Sequence, residues 1–217
     1  MSFLTNLNVK CMEYTQFTYN GMSIKIPYRL KGKATPEEMR EAISAWAGTQ
    51  SKTQAEVQEY VSANKKIFGL DCSGFVYYVL NEATGGAVRE YFEAKKGGTL
   101  SYAYGILASE LSNIDYGTKI TMAKDIKPGC TIQVKKGAHV MVVHSVNKNA
   151  EGVVTSIVYA HSDDVGASHH GYINIGDETK DLNHASQTWR DTAYTNPAYL
   201  QTVYTHTVLL KPVQDFV

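Results

Sequence analysis

The sequence predicts an α+β chain, with helices in its first half and an antiparallel set of strands in its second. Two observations carry the helical half: Thr35 with Glu38, and Thr53 with Glu56, each form the spacing in which a helix-start hydroxyl and a carboxylate satisfy each other's backbone donors. The third is a change of texture at Pro128-Gly129. Beyond it, runs rich in Val, Ile, Thr and Tyr are separated by turn residues and not by helices.

Each element follows in order. The lead-in before residue 35 reads as irregular or β-rich, with 22–28 alternating weakly until Pro27. A helix is expected over 36–47, where Pro36 takes the first helical position and Gly48 ends it. A second is expected over 54–66, stopping before Gly69. A third starts at Cys72, carries Phe75, Val76, Val79 and Leu80 at helical spacing, and ends at Gly85-Gly86. Shorter helices are expected over 88–96 and 102–111, on either side of Gly97-Gly98. Strands are expected over 131–134, 139–146, 153–161 and 202–210.

At 217 residues with no repeat or linker, the chain reads as one domain over 1–217, in which 33–70 forms a helical insertion. Lys+Arg and Asp+Glu both number 21, so no basic excess points to a nucleic acid or an anionic membrane. No apolar run approaches the length of a membrane span. The first residues lack the basic-then-apolar pattern of an export signal, which leaves a cytoplasmic protein, a trimmed form and a signal-independent route all open. Cys11, Cys72 and Cys130 cannot all pair within the chain, so at least one thiol is free unless it bonds another chain.

The chemistry concentrates in Asp71-Cys72-Ser73-Gly74-Phe75. A cysteine in the first turn of a helix sits among unpaired N–H groups, which favour thiolate, the nucleophilic form. Small Ser73 and Gly74 would leave room for a substrate backbone. His139 is the candidate base; strand alternation puts it on one face with Met141 and Val143, and His144 on the other. His161 ends the next strand and can accept the second N–H of His139, if the register brings the two together.

In combination and order, Asp71-Cys72-Ser73-Gly74-Phe75, Lys127-Pro128-Gly129, His139-Val140 and His161 resemble the NlpC-type cell-wall cysteine peptidases. Upstream, Pro27-Tyr28-Arg29-Leu30-Lys31-Gly32 resembles that family's Pro-Tyr-x-x-Gly-Gly segment, with Lys31 in place of the first glycine. The likeness covers roughly 27–161. It implies a papain-like fold and hydrolysis of amide bonds in bacterial peptidoglycan stem peptides, without a cofactor. It implies Cys72 as nucleophile, His139 as base and then acid, and His161 as the orienting residue. Tyr28, Asp71 and Ser73 would bind substrate, and the Cys72 N–H would donate to the oxyanion. The chain departs from the family in the long stretch between Gly32 and Asp71, expected to shape the cleft, and in Cys130, which stands where the family commonly has Asp.

Three other readings bear on the same residues. A papain-like acyltransferase or amidase acting on a non-wall amide or ester would use the same thioester. A non-catalytic wall-binding module would not need the Cys, His, His set. His161, Asp163, His169 and His170 could furnish metal ligands, but neither common zinc spacing is present, and a solvated polar loop is the expectation for that stretch, with no metal.

Overall fold

The computed structural model describes residues 2–100, 105–196 and 198–217. The class is α+β, with a seven-stranded antiparallel sheet and helices. Among the described residues, helices α1 (Phe3–Thr15), α2 (Pro36–Ala47), α3 (Gln54–Ala63), α4 (Lys65–Phe68), α5 (Cys72–Ala83) and α6 (Ala87–Lys96) precede the seven-stranded sheet. A small hairpin of β1 (Gln16–Tyr19) and β2 (Met22–Lys25) joins α1 to α2. The sheet follows as β3 (Gly117–Ile120), β4 (Thr131–Val134), β5 (His139–Lys148), β6 (Val154–Asp163), β7 (Ala167–Asn174), β8 (Thr188–Asp191) and β9 (Tyr204–Leu210). Two short helices, α7 (Ala198–Thr202) and α8 (Lys211–Gln214), flank β9. Strands β4 to β8 form a meander, and β9 returns to lie between β3 and β4.

The capping boxes form as their spacing requires: Thr35 and Thr53 accept from the backbone of Glu38 and Glu56, whose carboxylates return the bond. The lead-in differs from expectation. Phe3, Leu7, Cys11 and Tyr14 make a buried stripe, and Ser2 accepts from the Thr5 N–H, so α1 is a capped helix that packs on α5 and the sheet. The helix expected over 54–66 breaks at Asn64, whose ψ of 44° leaves the helical region, and α4 resumes for one turn. The helix expected over 102–111 falls partly on 101–104, outside the described residues, and the chain turns from Ala108 to Ser112. Strands β3, β7 and β8 were not anticipated from the pattern.

The register places the site. Val142 pairs with Ala160, His161 with His169, and Gly171 with Asp191. Directly paired residues share a face, so Tyr159, His161, His169, Gly171 and Asp191 lie on one side, with Val143 opposite Tyr159. Ala160, Ser162 and His170 face the other side, where Ser162 Oγ donates to the Leu70 carbonyl just ahead of α5. The stretch expected to be a solvated loop is therefore strand, and His161, Asp163 and His169 are buried. No helix among the described residues is long and apolar enough to cross a membrane.

Candidate active site

The cleft forms where the start of α5 meets the start of β5. It has a volume of about 390 Å³, and Tyr28, Asp71, Cys72, Ser73 and His139 all line it. Asp71 caps α5 by accepting from the Gly74 N–H at 2.7 Å, which fixes Cys72 in the first helical turn. Tyr28 is held by a backbone bridge to Leu70, one residue before that cap. Lys31 stands at φ 63°, a left-handed conformation that glycine adopts without a Cβ penalty.

His139 Nε2 lies 2.8 Å from His161 Nδ1, and His161 Nε2 lies 3.1 Å from Asp191 Oδ2. Burial lowers the His161 pKa and keeps the ring neutral; a carboxylate only accepts, so His161 carries its one proton on Nε2 and accepts on Nδ1. His139 must then donate from Nε2, which leaves its Nδ1 as a lone-pair acceptor. The hydrogen-bond chain thus assigns the tautomer of His139.

Asp191 was missed by sequence reasoning. Its Oδ1 accepts from His169 Nε2 at 2.8 Å, and its Oδ2 also accepts from the Tyr159 hydroxyl at 3.0 Å. Gly171, opposite Asp191, has no Cβ because the Tyr159 ring occupies that space. The Ala167 carbonyl lies 2.9 Å from His169 Nδ1, so both ring nitrogens of His169 face acceptors. Burial opposes its protonation, but the bonds to Asp191 and Ala167 outweigh that and raise its pKa. Burial alone would raise the Asp191 carboxyl, whereas its two imidazole partners hold it far below the usual carboxylate range. Asp191 is thus an ionised anchor for His161. For the hydrolysis proposed below, Asp191→Asn should lower kcat/KM roughly tenfold to a hundredfold, since an amide can present a donor to His161 and disturb the tautomer. An unchanged kcat/KM in steady-state kinetics would contradict this.

Electrostatics at Cys72 differ from the simple helix-start expectation. Burial pushes the Cys72 thiol up, the neighbouring Asp71 charge adds to this, and the N–H groups of Val140 and Ser73 only partly offset it, leaving a pKa of about 11. Burial also pushes His139 well below 6.5, with the nearby His161 and Lys135 acting in the same direction. The resting pair is therefore neutral thiol and neutral imidazole. Cys11 and Cys130 are buried away from the cleft, and burial raises both thiols. Burial also raises Tyr28, to about 12, with Cys72 and Asp71 contributing.

The remaining residues expected to bind substrate have internal partners as well as a place on the cleft wall. Asp71 accepts from Lys33 and from the Ser73 hydroxyl, and Lys33 Nζ also reaches Ser73 Oγ at 2.5 Å. A Cβ on Gly74 would strike the Lys33 stem, Gly32 and Leu70, so Gly74 makes room for the protein's own lysine and not for a substrate backbone. From the expected insertion, α3 lies against β2 and contributes Gln58 and Ser62 to a second groove that shares Tyr28 and Asp164 with the cleft.

Among the described residues, two groupings have ligand atoms near enough together to hold a metal: His139 with His161 and Asp163, and His161 with His169 and Asp191. Mutual hydrogen bonds account for the second, and in the first His139 is bonded to His161 while Asp163 accepts from the Val165 and Gly166 N–H groups and the Tyr194 hydroxyl. No protein-family model, curated protein or solved structure matches this chain.

Proposed function

We propose that the protein is a papain-like cysteine hydrolase of NlpC type that cleaves amide bonds in bacterial peptidoglycan stem peptides. The observation that carries the catalytic part is one cleft lined by a helix-start cysteine and by His139, whose Nε2 is occupied by His161; in this reading its free Nδ1 takes the thiol proton. The stem-peptide part rests on the resemblance of the motifs in 27–161.

In the reaction, Cys72 Sγ attacks the amide carbonyl carbon as its proton moves to His139 Nδ1. The Cys72 N–H at the start of α5 stabilises the oxyanion, with Tyr28 beside it. Collapse breaks the C–N bond, and His139 returns the proton to the departing amine. Water, deprotonated by His139, then attacks the thioester and releases the carboxylic acid and the thiol. His161, anchored by Asp191, stabilises the transient imidazolium.

Release of new amino groups from a purified stem peptide tests this reading, and the absence of release by folded protein would contradict it. The pH dependence is part of the expectation. A base must be neutral, and burial lowers the His139 pKa, so it stays neutral well into acid. The acid limb of kcat/KM should therefore lie below pH 6.5, the ordinary imidazole value. A limb centred above pH 7 would contradict the assignment of His139.

A further inference from the structure

Lys33 is a buried cation with no part in the chemistry above. It is 6% exposed, and its ammonium lies against Asp71 and Ser73, the residues on either side of Cys72. Its position is fixed along its length. The Tyr78 hydroxyl donates to its carbonyl at 2.7 Å, the Ala34 N–H following it bonds to the Gly69 carbonyl, and its stem fills the space left by Gly74. Taking a lysine ammonium out of water is unfavourable unless it is paired, so the charge of Lys33 calls for a local reason.

That reason is visible at the helix start. Asp71 caps α5 well, but it places a negative charge next to the sulfur that must itself become negative. We propose that Lys33 is a positioning residue for the nucleophile: it neutralises Asp71, so that the carboxylate needed to cap α5 does not oppose the Cys72 thiolate. The other charged or titratable groups facing the cleft are Tyr28, Lys31, Lys135, His139, Asp163 and Asp164. None of them is hydrogen-bonded to the Asp71 carboxylate, whose bonds go to Lys33, Ser73 and the Gly74 N–H, although Tyr28 lies within electrostatic reach of it. The opposed influences of Asp71 and Lys33 on the thiol agree with this arrangement.

The inference rests on Cys72 as the nucleophile, but its test needs no substrate, so it can fail separately from the proposed activity. The rate of iodoacetamide alkylation, located to Cys72 by peptide mass spectrometry, reports thiolate across pH. Asp71→Asn keeps a good cap and leaves Lys33 unopposed, so alkylation at pH 8 should quicken about tenfold, one pKa unit. Lys33→Met should slow it by about the same factor, and Lys33→Met with Asp71→Asn should restore it to within about threefold of the original chain. A purely structural role for Lys33 would not give opposite signs. Unchanged alkylation in folded Asp71→Asn, or a double variant as slow as Lys33→Met, would overturn the proposal. Should Lys33→Met fail to fold, Asp71→Asn and the double variant decide it.

Discussion

Cys72→Ala should lower amide hydrolysis by about a thousandfold or more while leaving thermal unfolding within a few degrees of the original chain. The expected loss is large because, in the proposed reaction, the sulfur supplies the covalent step, and the cleft and its hydrogen bonds give only the residual rate. The fold should persist because Cys72 faces the cleft at 9% exposure, so its removal opens no sealed cavity. Cys11→Ala and Cys130→Ala provide the contrast. Both thiols are wholly buried in the core, so their loss should cost stability with little change in rate per folded molecule. Kinetics and a thermal melt on the three variants check this. Near-normal turnover by Cys72→Ala would remove the cysteine from the mechanism.

The second large effect separates two histidines on one strand. His139→Ala should cost about a hundredfold to ten-thousandfold in kcat/KM, the range for removing a positioned general base. His144→Ala should leave kcat/KM within about threefold. His144 sits where the β5–β6 register slips between Val143 and Ser145, and its ring bonds to Asn8 of α1 at 2.8 Å and to His170 at 3.1 Å. It belongs to the packing between α1 and the sheet, with its pKa pushed down to about 4 by burial. Its loss should appear in a thermal melt. Equal kinetic damage from both changes, in folded protein, would contradict the choice of base.

Much of this was readable in the sequence where the signal is local. Capping boxes fix α2 and α3 because their bonds run between residues three apart, and Asp71 before Cys72 starts α5 for the same reason. Cys72, His139 and Tyr28 could be named from their motifs, and all three line one cleft. The stripe of Phe3, Leu7, Cys11 and Tyr14 was also available, but Thr5, Asn6, Asn8, Lys10 and Glu13 lie between its members and dilute the helical pattern. Strand β7 gave no such signal. Its inward residues include His169, buried for hydrogen bonding and not for apolar contact, so the usual alternation of apolar and polar is missing.

Asp191 and Lys33 were beyond reach for a different reason. Asp191 meets His161 across β7, through two register choices and a strand that the pattern did not reveal. Lys33 reaches Asp71 only once α2, α3 and α4 have folded between them. Contacts of that kind depend on tertiary closure, and neither spacing nor propensity encodes them locally.

The central claim is hydrolysis of a stem-peptide amide through Cys72, and it is tested most directly by mass spectrometry of purified peptidoglycan fragments incubated with the protein in ¹⁸O-labelled water. The account predicts fragments cut at one stem-peptide amide, with a new amine on one product and ¹⁸O in the new carboxyl of the other, and no such products with Cys72→Ala. Intact fragments after incubation with folded protein, or an acyl product free of ¹⁸O and joined to an amine or alcohol, would contradict it.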